Sequence, residues 1–118
     1  MERLLQDGAN VNAATGLGNT ALHWASLGGR TQVVPILLRA GAVVDARDDY
    51  NGLWTPLMLA ADRGHAATIK LLLEAGADPA LKNSGGMTAR DVAEAHNKPA
   101  AVEAFDSWAV RARGERER

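Results

Sequence analysis

Three stretches of this 118-residue chain are near-copies of one another: LLQDGANVNA from Leu4, LLRAGAVVDA from Leu37 and LLEAGADPAL from Leu72. A second set runs in step with them: TALHWASLGG from Thr20, TPLMLAADRG from Thr55 and TARDVAEAHN from Thr88. Two independent landmarks give the step, since Gly8 to Gly41 and Thr55 to Thr88 are each 33 residues. Self-similarity at such a period means stacked copies of one helical unit, each too small to bury its own apolar face without a neighbour.

The unit can be read from its local chemistry. Thr20, Thr55 and Thr88 stand where a hydroxyl would cap a first helix, and Pro56 falls at a first turn, where its missing N–H costs nothing. Gly29 and Gly64 mark where that helix must stop and the chain reverse with positive φ, and Asn97 tolerates the same geometry in the last copy. Gly41 and Gly76 do the same after the second helix. Val33, Val34, Leu37 and Leu38, like Ile69, Leu72 and Leu73, recur at helical spacing and form a stripe that needs covering.

These motifs closely resemble the ankyrin-repeat family over nearly the whole chain. In that family a Thr-Pro-Leu-His helix start, a Gly-His turn, a Leu-rich second helix and a Gly-Ala-Asp turn follow one another. The resemblance implies an all-α repeat solenoid of helix-turn-helix repeats joined by β-hairpin-type loops. The expected organisation is a partial repeat over 1–13, full repeats over 14–46 and 47–81, a capping repeat over 82–112 and a charged tail over 113–118.

The chain departs from the pattern in several places. Gly41 to Thr55 is 14 residues where Gly8 to Thr20 and Gly76 to Thr88 are 12, so two residues are inserted near the loop 47–53, close to Tyr50 and Trp54. Pro35 is tolerable only if its helix begins near Thr31. Arg90 and Glu94 replace the apolar or small residues Leu22, Leu57, Ser26 and Ala61 of the earlier copies, as the outer face of a terminal repeat requires. Ala101, Phe105, Trp108 and Ala112 are spaced so that the last helix runs long before the tail from Arg113 frays, with Trp108 in the core. At the other end Leu4 and Leu5 match Leu37 and Leu38, but no first helix precedes them. The expectation is a piece of a longer array or, alternatively, an apolar edge covered by a partner or a second copy.

Composition excludes other classes. A formal charge of −1 gives no field for nucleic acid or anionic membrane, and the absence of cysteine removes disulfides and Cys-based zinc sites. No apolar run approaches the roughly 20 residues that span a bilayer, and MERLLQDGANVN lacks the apolar stretch of a signal peptide, so a cytoplasmic or nuclear location is expected. His23, His65 and His96 occupy different kinds of position in the unit, with no clustered carboxylates to complete a metal shell. There is no Gly-x-Ser-x-Gly elbow and no phosphate-binding loop, so neither an enzyme nor a cofactor is expected.

The resemblance implies a protein-interaction module that reads a peptide or protein partner with its fingers and the exposed faces of its first helices. By that assignment the finger residues are Leu17, Tyr50 and Leu53, and Asn19, Trp54 and Met87 stand just before the helix starts. On the first helices Trp24, Leu27 and Gly28 share one face, as do Leu59, Asp62 and Arg63, and His96 faces the groove. Trp24, Tyr50, Trp54 and Arg63 lead, because aromatic residues and Arg carry disproportionate interface energy. Trp54 is expected to stand exposed with no core to enter, whereas Trp24 is expected to pack partly between helices. His23 and His65 match histidines that are structural in the family, the first bridging neighbouring repeats. A resemblance-based modification is hydroxylation of Asn12, which follows Leu4 by eight positions. The alternative functions are a structural cap of a longer scaffold and a regulatory or targeting domain of a larger enzyme.

Overall fold

The computed structural model describes residues 19–48 and 52–117, with side chains described through residue 111. Leu17, Tyr50, Asn12 and the partial repeat over 1–13 lie outside the described residues. The remainder forms α1 (Ala21–Leu27), α2 (Val33–Arg39), α3 (Pro56–Asp62), α4 (Ala66–Glu74), α5 (Ala89–Ala95) and α6 (Pro99–Glu117). Among the described residues no strand forms, and the hairpin-type finger is a single antiparallel bridge between Asp48 and Trp54.

Seven residues are too few to hold a helix by internal bonds alone, and the starts of α1, α3 and α5 are closed by side chains. The hydroxyls of Thr20, Thr55 and Thr88 accept the N–H of His23, Met58 and Asp91 respectively, three residues on. The return bond differs: the Thr20 N–H donates to His23 Nδ1 at 3.1 Å, the Thr88 N–H to Asp91 Oδ2 at 3.1 Å, and the Thr55 N–H meets Met58 Sδ at 3.5 Å. The backbone N–H of Thr88, then its hydroxyl, hold the Asp91 carboxyl below the usual carboxylate range.

The first helices end alike. Gly29, Gly64 and Asn97 take φ of +64°, +73° and +58°. The next amide in each case, from Arg30, His65 and Lys98, donates back 2.9 Å to the carbonyl of Ala25, Ala60 and Ala93. α2 begins at Val33, two residues after Thr31, which puts Pro35 at its third position. There an N–H would have no partner within the helix.

First helices stack on first helices, α1 on α3 and α3 on α5, and α4 packs against α6 among the second helices. Leu22 and Leu57 are fully buried along the first row, with Val34, Leu37, Ile69, Leu72 and Leu73 along the second. Burial of each such side chain is worth about 1.5–3 kcal/mol.

Polar ties cross between repeats. His23 Nδ1 accepts from Thr20, so its proton sits on Nε2, which donates to the Trp54 carbonyl at 2.9 Å. His65 Nε2 donates to the Leu27 carbonyl at 2.9 Å in the opposite direction. Asp45 accepts the N–H of Asp78, 33 residues on, with oxygens at 3.1 and 3.2 Å. Burial pushes the Asp45 carboxyl up, against the pull of that bond.

The outer end is charged. Arg90 donates to Asp106 at 3.0 Å and pairs with Glu94, so the outer side of α5 carries ions where Leu22 and Leu57 are buried in the earlier copies. Ala101, Ala104 and Phe105 of α6 are buried, and Trp108 packs against the core with Arg111 over its ring at 5.8 Å. The helix continues to Glu117 rather than fraying from Arg113: it passes through Gly114, a poor helix former, and the good helix formers Arg113, Glu115, Arg116 and Glu117 surround it.

Two glycines separate backbone strain from close packing. A Cβ on Gly29 would lie 2.6 Å from the His65 ring, whereas one on Gly41, at φ +98°, would meet nothing within 4 Å. Gly41→Ala should cost about 1–3 kcal/mol from strain alone. Gly29→Ala should cost clearly more, because it also displaces the His65 ring, and urea denaturation of the two variants checks the order.

Candidate functional site

The first helices leave one face uncovered, and there the chain forms a cavity of about 450 Å³. Three repeats build it. α1 supplies Trp24 and Leu27, α3 supplies Leu59 and Asp62 with Arg63 following, and His96 closes the end of α5. The finger bases add Asn19, Asp48 and Trp54, and His23 lies on the inner side.

The polar groups of this groove interlock. Asp62 takes His96 Nδ1 on one oxygen at 3.0 Å and lies 3.5 Å from Arg63 Nε on the other. It therefore ties the end of α3 to the end of α5 across two repeats. Asp48 is 2% exposed, and its Oδ1 accepts the Trp54 N–H at 2.8 Å. Its backbone holds the finger, with its N–H donating to the Trp54 carbonyl and its own carbonyl accepting from Leu53.

The two tryptophans reverse their expected roles. Trp54 is half-buried and packs against the core, with its amide and carbonyl both engaged by Asp48 and its carbonyl also by His23. Trp24 is 51% exposed. The reason is tertiary: the finger base folds onto the stacked helix starts, whereas among the described residues no element lies over the outer side of α1.

Of the other expected site residues, Asn19, Leu27, Asp62, Arg63 and His96 line the groove together. Gly28 lies beside it, lining a second hollow with Arg30 and Val33. Leu53 is half-buried in the finger with φ +63°, and Met87 is half-buried against the core, so neither lines this cavity. Tyr50 and Leu17 lie outside the described residues. His23 is in place as the expected bridge, and sequence reading missed Asp48, which carries no local signal beyond being polar in a loop.

Among the described residues no group of three or more His, Asp or Glu side chains is placed to hold a metal ion, and no helix is long and apolar enough to cross a membrane. What the geometry offers is a surface: apolar walls from Trp24, Leu27 and Leu59, two carboxylates, and exposed cationic or titratable groups at the rim. The exposures set a direct comparison. Trp24→Ala should change folding stability by no more than about 0.5 kcal/mol. Trp54→Ala should cost about 2–3 kcal/mol, as a large side chain removed from a packed site. Equilibrium unfolding of both variants reads the difference.

A family model of ankyrin repeats (3 copies) matches residues 1–83 and again 41–104. The chain is 40% identical over 93 residues to glycerophosphocholine phosphodiesterase gde1 of Schizosaccharomyces pombe, covering 79% of this chain and 8% of that protein. It is 44% identical over 94 residues to ankyrin repeat and SAM domain-containing protein 6 of Mus musculus, covering 80% and 10%. It is 42% identical over 77 residues to protein phosphatase 1 regulatory subunit 12A of Mus musculus, covering 65% and 7%. The chain thus spans a tenth or less of the length of these relatives. Ankyrin repeats are generally protein-interaction modules without catalytic groups of their own. The matched family model, the 33-residue period and the stacked capped helix pairs agree that this chain belongs to the ankyrin-repeat family.

Proposed function

We propose that this chain is a non-catalytic interaction module that binds a peptide or protein partner in the groove between its first helices and finger bases. The observation that carries the reading is Trp24: a large apolar side chain, 51% exposed, on the wall of a cavity of about 450 Å³ built by three repeats. An exposed indole is costly to leave in water and is the side chain most enriched among residues that dominate binding energy. Leu27, Leu59 and Trp54 extend the same apolar wall, and the polar rim of Asn19, Arg63 and His96 suits orientation of a bound backbone. Packed helix pairs hold these groups, so little conformational freedom is lost on binding.

A second reading rests on the relatives. The similar segments are small parts of a phosphodiesterase and of a phosphatase regulatory subunit, so this chain also fits the role of a recognition or regulatory part of a larger protein. In that setting the groove would do the same work, with the consequence exerted elsewhere.

Affinity capture from an extract of the source cells tests the groove. A protein retained by the wild-type chain and by Lys70→Glu, on the exposed side of α4, should be lost with Trp24→Ala and Leu27→Ala, both on the groove wall. A drop in affinity of about tenfold or more is expected for Trp24→Ala. Retention that groove variants leave unchanged would place the interaction elsewhere on the molecule.

A further inference from the structure

The groove holds a buried carboxyl group that no cationic side chain among the described residues meets. Asp48 is 2% exposed and lines the cavity, its Oδ1 occupied by the Trp54 N–H at 2.8 Å. Among the described residues no Lys, Arg or His forms an ion pair with it. A carboxylate taken out of water is costly unless an opposite charge or several donors meet it. The second carboxylate, Asp62, is only partly covered, at 21% side-chain exposure, and is shared between His96 and Arg63. Both of those cationic or titratable groups are already turned to Asp62 and neither pairs with Asp48.

The neutral surroundings point the same way. The indoles of Trp24 and Trp54 line the same cavity, and a tryptophan ring attracts an ammonium or guanidinium through its quadrupole. Leu27 and Leu59 offer apolar surface of the kind that the methylene stem of a lysine or arginine covers while its head remains polar. An anionic side chain would find two carboxylates in the cavity and would have to displace Asp62 from its partners.

We propose that the groove recognises an extended segment of a partner protein through one lysine or arginine side chain, received by Trp24, Asp48 and Asp62 with its stem along Leu27 and Leu59. This rests on the groove being the interaction site. Arg63, 60% exposed at the rim, opposes the incoming cation and limits its affinity, as does His96 when protonated.

Selection of a random peptide display library on the full 118-residue chain tests the preference, followed by titration of the recovered peptides as synthetic probes at physiological salt. The recovered peptides should share a basic residue at one position, and replacing it with norleucine should weaken binding about tenfold or more. Asp48→Asn retains an acceptor for the Trp54 N–H but removes the charge, and should weaken binding about fivefold or more. Arg63→Gln should strengthen it by about two- to fivefold, an increase that a merely structural role for Arg63 would not produce. Melting curves establish that each variant is folded; should Asp48→Asn fail to fold, Asp62→Asn and the norleucine peptide carry the test. Peptides that lose binding with Trp24→Ala yet share no basic residue, or that bind Asp48→Asn unchanged, would overturn the cation preference while leaving the groove as the interaction site. Peptides indifferent to Trp24→Ala and Leu27→Ala, or no recovered peptide at all, would overturn the groove reading and the preference with it.

Discussion

Everything in this fold depends on one repeat capturing the backbone of the next. α1, α3 and α5 are seven residues each, and a helix of that length has no stability of its own in water. His23 reaches forward to the Trp54 carbonyl and His65 reaches back to the Leu27 carbonyl, so two imidazoles clasp one junction from opposite sides. Both carbonyls lie at helix termini or finger bases, where the helical ladder leaves acceptors open. The apolar rows of Leu22 and Leu57, and of Leu37 and Leu72, supply most of the burial, but the histidines determine how the helices stack. A shift of one helix against the next would leave the Leu27 carbonyl and two ring nitrogens without partners, and the Trp54 carbonyl with the Asp48 N–H alone, in a place water does not reach freely.

The next junction is built differently. Met58 takes the position of His23 and Lys98 that of His65, and the ties move to the fingers, where the Ser84 N–H donates to the Gly52 carbonyl and Arg47 to the Lys82 carbonyl. The side chain of Lys98 lies over Gly64 as the His65 ring lies over Gly29, so the close packing on glycine persists where the hydrogen bond does not. On the far side of α5, Arg90, Glu94 and Asp106 replace apolar packing with ions that water can solvate. The change is graded, from histidine clasps to finger bonds to a charged face.

Features set by a few neighbouring residues could be read from the sequence. A threonine before an apolar run with His, Met or Asp three residues on marks a helix start, and Gly29, Gly64 and Asn97 mark the stops, because capping and positive φ are local requirements. The stripe of Ile69, Leu72 and Leu73 was legible for the same reason. Exposure was not: Trp54 is drawn onto the helix starts through Asp48 and His23, and Trp24 is left bare by the direction in which α1 faces, both outcomes of how repeats stack. The pairing of Asp62 with His96 joins residues in different repeats and has no signature in either segment alone. The positive φ of Leu53 is equally hidden, since nothing in a leucine announces it.

A groove whose walls come from three repeats can keep its shape only if the junctions hold, so the binding proposal rests on the clasps as much as on Trp24. The most direct measurement is the unfolding free energy of His23→Ala in urea, because His23 is 1% exposed and holds both its own helix start and the neighbouring Trp54 carbonyl. A loss of at least about 2 kcal/mol is expected, from an orphaned Thr20 N–H, a Trp54 carbonyl left with the Asp48 N–H alone, and a vacated site. A loss below about 0.5 kcal/mol, the size of an ordinary surface substitution, would contradict the claim that backbone capture between repeats holds the array together.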